Sequence, residues 1–204
     1  MNLLKFHNKI KGYTQNRQPG IEADMEPKPI AELEEYKAAG KLENKVALIT
    51  GGDSGIGRAI AILYAKEGAN VAIGYYDEHQ DAEDTVNRLQ EMGVKAKAYA
   101  HDLKDEKQSQ KLIKDVINDF GSLNILVNNG GVQFPRDHFE DITPQQVKET
   151  FMTNIFGMMF LSQAAVPYLS EGDTIINTTS VTAYRGSGHL IDYSATKGAI
   201  VSFT

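Results

Sequence analysis

Val46-Ala-Leu-Ile-Thr-Gly-Gly-Asp-Ser-Gly-Ile-Gly-Arg58 is the stretch that decides how this chain folds. It opens on a short apolar run, Val46 to Ile49, of the kind a strand buried on both faces requires. The following Ala59-Ile-Ala-Ile-Leu-Tyr64 continues as an apolar helical pattern. Between them lies a glycine-rich strand-to-helix turn carrying Thr50, Gly51, Asp53, Ser54, Gly55, Ile56 and Gly57. Such a turn lets the backbone approach a pyrophosphate closely, and the free N–H groups at the helix start attract its charge. These residues are therefore candidate nucleotide ligands.

Outward from this turn the same alternation repeats. Asn70–Ile73, Lys95–Tyr99, Ile125–Val127 and Thr174–Asn177 read as further strands. Helical patterns cover Ile56–Glu67, Gln80–Met92, Glu106–Phe120 and Pro144–Tyr168. Strand and helix in turn predict an α/β fold, a doubly wound parallel sheet of the Rossmann type with right-handed crossovers. This domain runs over residues 45–204. Residues 1–44 are polar and proline-punctuated, as in Gln15-Asn-Arg-Gln-Pro-Gly20 and Met25-Glu-Pro-Lys-Pro29, and read as an extended arm. The arm is either a tail without fixed structure or a segment that wraps the domain or a neighbouring subunit.

Composition narrows the function. The net charge of −6 and the lack of a basic run argue against nucleic-acid binding. Without cysteine there is no disulfide, thiol nucleophile or cysteine metal site. His7, His79 and His138 show no zinc spacing, so no metal site is expected. The start, Met1-Asn-Leu-Leu-Lys5, does not build the apolar core of a signal peptide. Ile155–Val166, interrupted by Gly157, Ser162 and Gln163, is far too short to span a membrane. A cytoplasmic protein acting on small molecules is the expectation.

Tyr193-Ser-Ala-Thr-Lys197 places a phenol and an ammonium one helical turn apart, on one face of a helix, with Ser180 thirteen residues upstream. A fixed cation beside a phenol favours its ionised form, so the pair can move a proton. Taken with Thr50-Gly-x-x-x-Gly-x-Gly57, Asn128-Asn-Gly-Gly131 and Asn154, this stretch resembles the classical short-chain dehydrogenases/reductases from about Lys45 to Thr204. The arm, with Gln18-Pro-Gly20 and Pro27-Lys-Pro29, is similar to that of a bacterial subgroup with an N-terminal extension.

The resemblance implies hydride transfer between NAD(P)(H) and a carbonyl or alcohol substrate. It implies Tyr193 as acid/base, Lys197 as the cation that favours phenolate and holds the nicotinamide ribose, and Ser180 as the group orienting the substrate oxygen. Asn154 matches an asparagine holding a water that links the lysine to solvent. Asn129, Gly130 and Gly131 shape the cofactor crevice, with Gly130 where the family usually has alanine. Asp102 and Leu103 fall near the adenine, and Asp102 also reads as a helix cap. The family also implies a dimer or tetramer, through Glu149–Tyr168 and the helix beginning near Ile191.

Cofactor choice is a charge question at the end of the second strand. Gly74-Tyr-Tyr-Asp-Glu-His-Gln-Asp81 carries acids and no Lys or Arg, which disfavours an adenosine 2′-phosphate. Ser54 stands where NADP-using relatives often place a base, whereas Tyr75 replaces the ribose-binding acid of many NAD users. NAD is expected, with NADP as the alternative. Tyr76 and Asp77 are the candidate ribose contacts, Asp77 being equally readable as a solvated loop acid. His189, Tyr184 and Arg185 stand near Tyr193 as candidates for the substrate pocket.

The chain stops seven residues after Lys197, inside an apolar helical pattern without a cap. Family members continue with two more strands and the loop that covers substrate. The expectation is a partial sequence lacking one side of the sheet, whose substrate is unreadable and whose 204-residue form turns over poorly. Two rivals stand beside it. An extended-branch epimerase or dehydratase is opposed by the Gly51, Gly55 and Gly57 spacing, and a dinucleotide-binding module without turnover is opposed by the complete Ser180, Tyr193 and Lys197 set.

Overall fold

The computed structural model describes residue 15, residues 17–33 and residues 35–204. His7 and the opening residues 1–14 lie outside this range. The strands are β1 (Val46–Thr50), β2 (Asn70–Tyr75), β3 (Ala96–Ala100), β4 (Ile125–Asn128) and β5 (Thr174–Asn177). The helices are α1 (Gly55–Lys66), α2 (His79–Glu91), α3 (Glu106–Phe120), α4 (Pro144–Phe151), α5 (Gly157–Ala165), α6 (Thr182–Arg185) and α7 (Ile191–Phe203). Strand order is β3-β2-β1-β4-β5, and every pairing is parallel. The doubly wound sheet anticipated from the alternation is present.

The residues of β1 explain why the sheet has two covered faces. Side chains alternate along a strand. Ala47 and Ile49 join Ile62, Ala65 and Leu89 of α1 and α2 on one side. Val46 and Leu48 join Leu112, Ile113, Val116 and Leu161 of α3 and α5 on the other. Burying each such leucine or isoleucine contributes about 1.5 to 3 kcal/mol. From β1 the chain winds outward to β2 and β3, then returns to the other side at β4. That reversal opens a crevice at the carboxyl ends of β1 and β4.

Local signals fix both ends of α3 and the start of α4. Asp105 caps α3 by accepting hydrogen bonds from Lys107 N and Gln108 N, and Gly121 closes the helix with φ 85°. Thr143 caps α4 by accepting from Gln146 N, and Pro144 follows at the first helical position.

The predicted single helix over Pro144–Tyr168 requires correction. It is broken by a π-helical turn over Met152–Phe156, where Gly157 N–H donates to Met152 O, and it ends in a 3-10 turn over Val166–Tyr168. The extra residue of a π turn re-aims side chains. Here it accompanies an inward Asn154 and brings Gly157 against Leu103, where a Cβ would meet Leu103 O at 2.6 Å.

Residues 17–44, where described, lie along α1 and α2. Glu32 pairs with Lys66 at 2.9 Å and with Arg88 at 3.0 Å. Glu67 accepts from Tyr36 Oη and from the backbone N–H groups of Ala39 and Lys41. β5 forms the other edge of the sheet, with Ile176 exposed. Among the described residues no helix is long and apolar enough to cross a membrane.

Candidate active site

The crevice holds a cavity of about 550 Å³. One end is walled by the turn after β1, through Gly51, Asp53, Ser54, Gly55 and Ile56. Tyr76, Asp102 and Leu103 line it beyond β2 and β3, and Asn129, Gly130 and Gly131 line it after β4. Tyr193 and Lys197 stand on its wall from α7. Thr50, Gly57, Asp77, Asn154 and Ser180 are not among the lining residues.

Thr50 acts from behind the wall. Its buried hydroxyl accepts from Asn129 N at 3.0 Å and Gly130 N at 2.9 Å, tying the end of β1 to the loop after β4. Asn129 Nδ2 donates to Thr50 O at 3.2 Å, reinforcing the same junction. The glycines are dictated by this closeness. A Cβ on Gly57 would fall 1.8 Å from Gly51 O, and Gly51 itself has φ 60° with Gly130 Cα 3.1 Å from where its Cβ would stand. Bare backbone therefore lines the floor, as close approach of a pyrophosphate requires.

Lys197 is 4% exposed and its Nζ donates to Thr178 O at 2.8 Å. The same Nζ lies 5.4 Å from the centre of the Tyr193 ring. Burial pulls the lysine down to about 8 from its ordinary 10.5, because the apolar surroundings disfavour the ammonium. Asn154, 2% exposed, receives Val132 N at 2.8 Å and donates to Val132 O at 2.9 Å and to Thr196 Oγ1 at 3.1 Å. It thus joins α7 to the loop after β4. Asn154, Lys197, Thr178 and Asn128 line a side void of about 10 Å³, at the lower limit for one water molecule.

Ser180 follows β5, and its Oγ accepts from Thr182 N at 3.2 Å and from the Thr182 hydroxyl at 3.1 Å. Asp102 does not cap α3, a place that Asp105 takes three residues on; it accepts from Lys104 N at 2.9 Å in the turn before the helix. His189 faces Asp137 at 3.6 Å on the surface, and Tyr184 is 76% exposed; neither lines the cavity. Arg185 does not line it either.

The segment Gly74–Asp81 holds no Lys or Arg of its own, but the fold brings two cations to it from elsewhere. Arg17 Nη2 lies 2.6 Å from Asp77 Oδ1 and 3.4 Å from Glu78 Oε1. Lys104 Nζ stands 5.8 Å from the Tyr76 ring centre and pairs with Glu149 at 2.7 Å, which raises the lysine above its ordinary value. Neither cation is a sequence neighbour of the second strand, so no local pattern exposes them. Sequence reasoning also missed Gln18, Pro19 and His101, all of which line the cavity. His101 is buried with neither ring nitrogen paired, and burial holds it below the ordinary histidine value. It explains Gly74, whose Cβ would meet His101 Cε1 at 2.6 Å.

Comparison with known proteins agrees with this fold. The short chain dehydrogenase model matches residues 45–204. General stress protein 39 of Bacillus subtilis (strain 168) is 49% identical over 202 residues, covering 99% of this chain and 71% of that protein. A short chain dehydrogenase from Burkholderia cenocepacia J2315, solved in complex with NADP, superposes with a TM-score of 0.78 at 35% identity. The match covers 80% of this chain and 67% of that one. The 3-ketoacyl-(acyl-carrier-protein) reductase from Brucella melitensis, complexed with NADH, gives 0.75 at 32% identity, with 80% and 68% covered. The chain spans about two thirds of the length of such relatives. Matched over residues 45–204 and 49% identical to a relative along nearly its whole length, the chain belongs to the short-chain dehydrogenase family of oxidoreductases.

Proposed function

We propose that the protein transfers a hydride between NAD(H) and a small carbonyl or alcohol substrate, with Tyr193 moving the proton. One observation carries the reading: Tyr193 and Lys197 share a wall of the same cavity whose far end is the bare-backbone glycine turn. The bound nicotinamide would supply the hydride chemistry. The chain supplies the rest. Ile56, at the start of α1, offers its backbone N–H to the pyrophosphate, and Asn129 to Gly131 shape the crevice. Lys197, fixed by Thr178 O, holds the nicotinamide ribose hydroxyls and places positive charge beside the phenol, which favours phenolate. Tyr193 then exchanges the proton with the substrate oxygen, and Ser180 orients that oxygen. Asn154 keeps α7 in register and joins Lys197 at the side void.

NAD is favoured over NADP by the charges lining the cavity, where Asp53, Glu78, Asp102 and Glu149 stand against Lys104 and Lys197. A 2′-phosphate meeting this excess of acids loses about 1.4 kcal/mol, about tenfold in affinity. Asp77 contributes through Arg17 rather than by lining the cavity. The protein further assembles with copies of itself through the α4–α5 region and α7, where Phe156, Met159 and Val201 are exposed. Fluorescence titration with NADH and NADPH, followed by turnover with a panel of aldehydes and ketones, tests the reading. Tighter NADH binding is expected, with turnover in the full-length protein. Tight binding with no turnover would favour a binding module, and tighter NADPH binding would overturn the cofactor choice.

A further inference from the structure

The segment 17–22 is pinned at both ends across one side of the cavity. At its start Arg17 grips Asp77 and Glu78 in the loop after β2. At its end the buried Glu22 reaches three groups. Its N–H donates to Asp81 Oδ2 at 2.9 Å, its Oε2 accepts from Gly55 N at 2.6 Å, and its Oε1 pairs with Arg58 at 3.0 Å.

The turn between is closed on itself. Gln15 Nε2 donates to Ile21 O and Gln15 Oε1 accepts from Ile21 N, both at 2.7 Å, while Arg17 Nε donates to Pro19 O at 2.8 Å. What this closed turn presents to the cavity is Gln18 and Pro19, beside Ser54, Tyr75 and Glu78. The anchors are the elements of a dinucleotide site: the loop after β2, the first turn of α1, and the start of α2. A segment held by these three elements cannot shift without disturbing them, and they cannot open to solvent without releasing it.

We propose that residues 17–22 are a built-in strap completing the adenosine half of the dinucleotide site, with Arg17 as its latch and Gln18 and Pro19 as its ligand-facing surface. The inference rests on the dinucleotide reading above and deepens it. Held by its own ion pairs and hydrogen bonds to these elements, the strap adds contact area and excludes water at the adenosine end. Its effect belongs to binding and release. Tyr193 and Lys197, at the other end of the cavity, keep their chemistry.

The test compares the protein with Arg17→Ala and with the double variant Arg17→Ala/Gln18→Ala, using NADH, ADP-ribose and thermal unfolding. Arg17 is partly exposed, so its removal leaves the core intact. The latch variant should bind both NADH and ADP-ribose roughly threefold to fivefold more weakly, as loss of a surface ion-pair cluster allows. The double variant should lose more, by the same factor for both ligands, with faster NADH release. Arg88→Ala, which cuts the arm from α2 at Glu32 away from the cavity, should leave both affinities unchanged. Unchanged or tighter binding in the two strap variants, with unfolding temperature preserved, would overturn the strap while leaving the dinucleotide reading standing. A loss for NADH without one for ADP-ribose would also overturn it. If the unaltered protein binds neither NADH nor NADPH, the dinucleotide reading itself fails.

Discussion

The Lys197 ammonium lies 5.4 Å from the centre of the Tyr193 ring while donating to Thr178 O at 2.8 Å, in a setting that leaves the lysine 4% exposed. One backbone carbonyl is the hydrogen-bond partner given to a buried cation, which is a poor exchange for water. Function and stability therefore pull against each other at this residue.

The first prediction follows from that conflict. Lys197 loses its proton near 8 in the folded chain and near 10.5 when unfolded. Below about 8 both states are protonated and the full cost of burying the ammonium is present, on the order of 3 kcal/mol. As pH rises from 8 to 10.5 the folded state releases its proton first, so stability rises through this window. Urea unfolding of the ligand-free protein and of Lys197→Met at pH 7.5 and pH 10 isolates the effect. The difference between the two proteins should move in favour of the lysine form at the higher pH, by about 2 kcal/mol or more. Parallel pH dependences would show that Lys197 is not buried as described.

The glycines give opposite predictions. Gly57→Ala drives a methyl into Gly51 O, a backbone atom that cannot yield without deforming the turn after β1. Stability should fall by about 2 kcal/mol and NADH affinity by more than tenfold. Gly198 lies within α7 with nothing within 4 Å of its missing Cβ. Gly198→Ala should stabilise by about 0.5 to 1 kcal/mol and leave NADH affinity unchanged. Thermal unfolding with NADH titration checks both.

Asn154→Ala removes the partner of Val132 N and Val132 O and the bond to Thr196 Oγ1 at once. A loss of about 2 kcal/mol is expected from the groups left unpaired. Because α7 carries Tyr193 and Lys197, turnover should fall further than dinucleotide affinity. Denaturant unfolding beside kcat and KM separates the two effects, and equal losses in both would reduce Asn154 to a structural residue.

Much of this was legible in the chain because the signals are local. The β1 run and the α1 pattern lie side by side in sequence, so the turn between them could be read as a strand-to-helix junction. The pair Tyr193 and Lys197 is set by helical spacing alone. Arg17 and Asp77 are different. Sixty residues separate them, neither sits in a periodic element, and only the folded path of the arm brings the guanidinium to the acid. The π turn was hidden for another reason. Met152 to Phe156 contains no Gly or Pro to mark a break, and the inserted residue is stabilised by contacts that Asn154 and Gly157 make with Val132, Thr196 and Leu103. His101 was invisible because a histidine after a strand carries no burial signal until Gly74 is placed beside it.

The central claim is that Tyr193 moves the proton during hydride transfer, and the most direct measurement is NADH oxidation with an accepted aldehyde or ketone by the full-length protein and by its Tyr193→Phe variant. Phenylalanine keeps the ring and removes the hydroxyl. NADH affinity should remain within about twofold while turnover falls by roughly a hundredfold to ten-thousandfold, the range of a lost proton-transfer group. Turnover by Tyr193→Phe equal to that of the unaltered protein would contradict the account.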